Sequence, residues 1–168
     1  MVSSMNPKNP KSAAAGVLRS CWPNGEVPVD PVAVAQKLGV DVRVGDLPPS
    51  YSGAIIKEPG SDPVILLAWE DHPNRQRFSC AHELGHYVQR AGDDDYSYID
   101  YRGAMASQGT EPEEIFANQF AANLLMPEPI VRRRFEKSKP LWAFAREFGV
   151  SPEAMRFRLK NLGLLCDE

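Results

Sequence analysis

The spacing of apolar positions changes character several times along the chain. In PVDPVAVAQKLGV, Val32, Ala35 and Leu38 share one helical face. Asp30 can cap that helix, Pro31 suits its first position and Gly39 its end. DVRV then alternates as a strand does. GAII and PVILLAW are two further apolar runs, separated by KEPGSD, whose Pro59 and Gly60 mark a hairpin turn. These runs predict a small, largely antiparallel sheet of three strands. Two longer helices are expected next. The first spans Asn74 to Arg90, with Phe78, Ala81, Leu84, Gly85 and Val88 on its apolar face. The second spans Glu111 to Leu125 and stops at Met126-Pro127. Between them, AGDDDYSYIDYRGAMASQGT reads as a polar connection of about 20 residues, a length at which loops are often functional. Shorter helical pieces fill the tail, and residues 1–10 read as a frayed start.

The pattern is therefore α+β: a three-stranded sheet on a pair of long helices, with a helical tail. At 168 residues the chain is long enough for one core. It divides into an N-terminal segment, 1–27, expected to be partly flexible, a core, 28–130, and a basic helical tail, 131–168, counted within the same domain.

Composition narrows the function classes. The net charge of −3 gives no general attraction to nucleic acid or anionic membrane. The charge is uneven, however. Residues 128–168 hold 9 Lys/Arg and 6 Asp/Glu (+3), against 10 and 16 (−6) in the remainder. Three scattered cysteines, Cys21, Cys80 and Cys166, argue against a disulfide framework and for a reducing compartment. No apolar run approaches a membrane span, and the N-terminus lacks the apolar region of a signal peptide. A cytoplasmic location is the expectation.

The chemistry concentrates in CAHELGHYV, Cys80 to Val88. Residues four apart on a helix share a face, so His82 and His86 can reach one Zn²⁺. Glu83 lies about 100° round the helix, beside the metal rather than on it, where it can take a proton from the attacking water. With three histidines in the chain, H-E-x-x-H arises by chance on the order of a few times in a thousand such sequences. Cys80, about 160° from His82, reads as a small buried side chain. A catalytic zinc takes a third protein ligand. No histidine follows His86, so the ligand is sought among carboxylates, and TEPEEIFANQF supplies Glu111, Glu113 and Glu114. Thr110 and Glu113 match a capping box. That leaves Glu114 to project as third ligand, with Asn118 one turn on to accept a hydrogen bond from the far nitrogen of a liganding histidine.

RQRFSCAHELGHYV (75–88) and EIFANQFAANLLMPEP (114–129) together resemble the ImmA/IrrE family of zinc metallopeptidases. DPVAVAQKLGV, SGAI and EFGVSPEAMRFRLKNLGLL carry the likeness over most of the chain from about residue 28. The resemblance implies a thermolysin-like core with a zincin-type pair of active-site helices. It places zinc on His82, His86 and Glu114, with Glu83 catalytic. It also implies cleavage of a regulatory DNA-binding protein, often a helix-turn-helix repressor, as the route to gene control. Tyr96, Tyr98 and Tyr101 are candidates by chemistry to stabilise the oxyanion. The hairpin strand ending near Trp69 is expected to offer an edge on which a substrate adds as a strand.

The tail carries an alternative. LWAFAREFGVSPEAMRFRLKNLG has the outline of a helix-turn-helix, with Arg156, Arg158 and Lys160 expected on or near an exposed helix and Arg132–Arg134 nearby. That outline suits a DNA-binding or protein-binding regulator with a structural zinc. The acidic balance of the whole chain weighs against direct nucleic-acid binding. The pattern leaves oligomeric state open.

Overall fold

A computed structural model describes residues 9–93, 95–101 and 112–166. Its first helix, α1 (Pro10–Cys21), starts at Asn9, whose side chain accepts from the amides of Lys11 and Ser12. α1 falls inside the segment expected to be partly flexible. Ala14, Val17, Leu18 and Cys21 form an apolar stripe at helical spacing that joins the core. Alanine and cysteine are too small to make that stripe conspicuous in the sequence. Asp30 caps α2 (Pro31–Lys37), accepting from Val32 and Ala33 at 3.0 and 3.3 Å.

The sheet corrects the expectation of three strands. Among the described residues it has four, β1 (Asp41–Gly45), β2 (Tyr51–Lys57), β3 (Val64–Ala68) and β4 (Tyr96–Tyr101), in the order β1-β3-β2-β4. β1 runs parallel to β3, whereas β2 is antiparallel to both β3 and β4. The added strand lies in the stretch read as a polar connection. Its sequence YSYIDY alternates, with Tyr96, Tyr98 and Asp100 on one side. The edge expected near Trp69 is also corrected. β3 lies between β1 and β2, so the edge beside the long helices belongs to β4.

The inner face of the sheet, with Ile55, Ile65 and Leu67, packs on α3 (Pro73–Gln89). Ala117, Phe120, Ala121 and Leu124 recur at helical spacing on α4 (Pro112–Leu125) and pack on α3 from its other side. The middle of α3 is thus covered all round, and every residue from Ser79 to His86 is buried. The sequence suggested an apolar face with the histidines on a free one. Both faces are in fact packed, and the polar one is packed around the histidines.

Gly85 sets how closely α3 and α4 approach. A Cβ on Gly85 would stand 2.8 Å from the Ala117 Cα and 3.1 Å from its carbonyl oxygen. Gly53 does the same on the sheet side, where a Cβ would meet the Leu66 carbonyl at 3.2 Å and the Ser79 Cβ at 3.5 Å.

The tail folds as α5 (Glu128–Arg134), α6 (Leu141–Phe148) and α7 (Pro152–Asn161). Gly149 adopts φ 65° at the end of α6, and Ser151 caps α7 by accepting from Ala154. The helix pair follows the expected outline, but its surface does not. Arg158, expected among the exposed cations, is buried. Its Nε donates to the Met126 carbonyl and its Nη2 to Asn123 Oδ1, both at 3.0 Å, which ties α7 to the end of α4. Arg77 of α3 donates to the Gly149 and Val29 carbonyls. Two arginines therefore brace the tail against the core. Among the described residues, no helix is long and apolar enough to cross a membrane.

Gly85→Ala is expected to lower stability even though alanine is the better helix former. The clash is with backbone, and overpacking of about 1–3 kcal/mol exceeds the roughly 1 kcal/mol gained in propensity. Thermal unfolding should show a melting temperature reduced by several degrees. An unchanged or raised value would mean that the two helices separate freely.

Candidate metal centre

His82 and His86 stand one turn apart on α3, their ring centres 4.9 Å apart and nearly perpendicular. Glu114 rises from the first turn of α4 between them. Its two oxygens lie 3.1 Å from His82 Nε2 and 3.0 Å from His86 Nε2. At these distances the pairs are in contact, yet neither imidazole nitrogen has a hydrogen bond of acceptable alignment. The three groups crowd one small space, their ligand-type atoms all within 4.8 Å of one another. Asn118, four residues along α4, places Oδ1 at 2.8 Å from His82 Nδ1. With that oxygen accepting, the proton sits on Nδ1 and Nε2 keeps its lone pair for the shared space.

Glu83 is wholly buried beside this cluster, and neither of its oxygens has a hydrogen-bond partner. Asp100 reaches in from β4, also buried, with Oδ2 unpartnered and Oδ1 3.8 Å from Arg75 Nη2. Arg75 in turn donates to Ser52 Oγ at 3.2 Å. His82, Glu83 and Asp100 bring ligand-type atoms within 4.8 Å of one another, as do His82, His86 and Glu114.

The electrostatics follow from this crowding. Burial, then the charges of Asp100 and Glu114, hold the Glu83 carboxyl well above its ordinary range. Burial likewise raises Asp100, against the pull of His82 and Arg75. Burial opposes ionisation of Glu114 too, but the two imidazoles outweigh it and bring its carboxyl down to about 2. Burial lowers His86; it also pulls on His82, where Glu114, Asp100 and Asn118 prevail and raise it. Three carboxyl groups around two imidazoles, with buried lone pairs unanswered, form a set richer in acidic groups than the nearby Arg75 alone balances. Two imidazole nitrogens and a carboxylate fit a divalent cation, which would supply further positive charge.

Residues 35–160 match the family model for the IrrE N-terminal-like domain. The chain belongs to the ImmA/IrrE family of metallopeptidases. One curated relative, the radiation response metalloprotease IrrE of Deinococcus radiodurans, is 39% identical over 79 residues. That stretch covers 46% of this chain but only 23% of the relative.

The Thr110–Glu113 capping box lies outside the described residues on its Thr110 side. Glu113 itself stands 3.8 Å from Arg90 Nη2. Of the three tyrosines considered for the oxyanion, Tyr96 is buried with its hydroxyl unpartnered. Tyr98 stacks on His86. The side chain of Tyr101 lies outside the described residues. Cys80 is buried, and burial pushes its thiol up to about 12, which suits a packing role. Asp100 was missed. Its signal was the alternation of YSYIDY, which puts Asp100 on the same strand face as Tyr98 and therefore towards α3.

Metal content after dialysis against a mild chelator separates the acidic residues at the start of α4. Glu114→Ala should empty a site that the wild type keeps full, because it removes one of three protein donors and a balancing charge. Glu113→Ala should leave metal content close to wild type. Asn118→Ala should fall between, with roughly 10–100-fold weaker binding. A full site in Glu114→Ala with an empty one in Glu113→Ala would reverse the reading.

Proposed function

We propose that this chain is a zinc-dependent endopeptidase that cuts a regulatory protein, with a helix-turn-helix repressor as the substrate class and relief of repression as the consequence. The observation that carries the reading is the clustering of His82, His86 and Glu114, with ligand-type atoms within 4.8 Å of one another and the unpartnered Glu83 carboxyl beside them. Family membership supports the same chemistry. Cytoplasmic action suits three unpaired cysteines and a gene-regulatory substrate.

His82, His86 and Glu114 would hold the zinc, which would supply Lewis acidity at the scissile carbonyl and make water a usable nucleophile near neutral pH. Glu83 is the general base. It takes a proton from the attacking water and passes it to the leaving amine, so it ends the cycle as it began. A divalent cation beside the Asp100 and Glu114 carboxylates would offset the negative charge that acts on Glu83. Asn118 holds the His82 ring in the tautomer that presents Nε2. The outer edge of β4, unpaired among the described residues, carries Tyr98 and Asp100 to the site and is placed to pair with an extended substrate segment. Main-chain pairing of that kind gives little sequence preference, so selection of one repressor would rest on contacts elsewhere.

The alternative, a DNA-binding regulator with a structural zinc, loses one of its cations in Arg158, which serves the core. A structural site also has no use for a buried, unpartnered glutamate next to the ligands.

Glu83→Gln keeps the side-chain volume and removes the base. The variant should fold and hold metal as the wild type does. Cleavage of a helix-turn-helix repressor encoded beside this protein should drop by at least about 10²–10⁴-fold in single-turnover assays. Wild-type rates from Glu83→Gln, with contaminating proteases removed, would exclude Glu83 as base. Tight, sequence-selective and salt-dependent binding of duplex DNA by the wild type would favour the regulator.

A further inference from the structure

The two histidines are held by unlike devices. His82 has the usual support of a liganding histidine, a hydrogen bond from its far nitrogen to Asn118 Oδ1 at 2.8 Å. His86 has none: its Nδ1 is buried and unpartnered. What His86 has is a ring against its face. The Tyr98 phenol lies parallel to the imidazole, with centres 4.1 Å apart and planes 8° apart. Tyr98 is itself fixed by its place on β4, opposite Ile55 of β2, and by Arg90, whose Cζ is 5.3 Å from the phenol centre. Arg90 is tied in turn to Asp93 at 3.3 Å and to Glu113 at 3.8 Å.

We propose that Tyr98 is the positioning residue for His86, its aromatic face replacing the hydrogen bond that orients His82. The proposal rests on the reading of His82, His86 and Glu114 as metal ligands. Its physical basis is twofold. A parallel ring blocks the tilt by which an imidazole anchored only at Cβ would leave the metal. An imidazole bound to a cation is electron-poor, and the face of a phenol carries negative potential, so the stack is stronger with metal present than without it. A contact stronger in the loaded state adds to metal affinity, whereas one equally strong in both states would add only to stability. The strand reading matters here. Tyr98 lies in a stretch that sequence pattern assigned to a loop, where a side chain would have no fixed partner. On β4 it has one.

The test compares Tyr98→Phe, which keeps the aromatic face, with Tyr98→Leu, which keeps bulk and loses it. Zinc affinity by chelator competition should be about 10-fold weaker in Tyr98→Leu, the low end for loss of a ligand's support, and within about twofold of wild type in Tyr98→Phe. With Co²⁺ in place of zinc, the visible bands should shift in Tyr98→Leu and not in Tyr98→Phe. The rise in melting temperature on adding metal should shrink in Tyr98→Leu. A purely structural role would instead lower the metal-free and metal-loaded values together. If Tyr98→Leu does not fold, Tyr98→Met provides the same contrast. Affinity and spectrum unchanged in the leucine variant would overturn the proposal while the metal site stands. Equal losses in both variants would also overturn it and assign the effect to the hydroxyl and Arg90. A wild type that binds no metal would remove the site and this role with it.

Discussion

Everything in this structure that bears on chemistry depends on the contact between Gly85 and Ala117. There the backbones of α3 and α4 come so close that a single added methyl would meet the Ala117 Cα at 2.8 Å. Gly85 directly precedes His86, and Ala117 directly precedes Asn118. The close approach therefore decides how far the two histidines of one helix lie from Glu114 and Asn118 of the other. With the backbones further apart, the 3.0, 3.1 and 2.8 Å contacts of the cluster could not all be made at once. Phe120, Ala121 and Leu124 continue the same seam and supply the apolar burial that holds it closed.

The seam also buries an arrangement of charge that an ordinary core would not keep. Glu83 and Asp100 are buried with unpartnered oxygens, a condition that costs stability unless something answers it. Such a cost is common at functional sites, and the surrounding fold has to over-determine the geometry. Here it does so from three sides. The sheet approaches α3 through Gly53. β4 delivers Tyr98 and Asp100 to the histidines. The tail is pinned by Arg77 at the start of α3 and by Arg158 at the end of α4. The basic tail, which looks from sequence like a surface for a partner, spends its buried Arg158 on bracing these helices.

Much of this was legible in the sequence where local signals were strong. The Asp30 cap, the hairpin at Pro59-Gly60, the long helix around His82 and His86 and the stop at Met126-Pro127 all rest on interactions within a few residues. The spacing of His82, Glu83 and His86, and the offset that separates Glu114 from Glu113, are properties of a helix and hold wherever the helix goes. What escaped was tertiary. YSYIDY reads as a loop because its residues are polar, and it is a strand because β2 has an edge to pair with. Arg158 reads as exposed because arginine usually is. It is buried because the Met126 carbonyl and Asn123 need a donor there. α1 was obscured because its stripe is built partly from alanine and cysteine. Asp100 became visible as part of the site only once β4 was in place.

The claim that the buried cluster is a zinc site is tested most directly by X-ray absorption at the zinc edge on the purified wild-type protein. The account predicts stoichiometric zinc with a shell of nitrogen and oxygen donors at about 2.0–2.2 Å and the outer scattering of two imidazoles. A sulfur shell at about 2.3 Å, or no zinc above background after zinc is supplied, would contradict it.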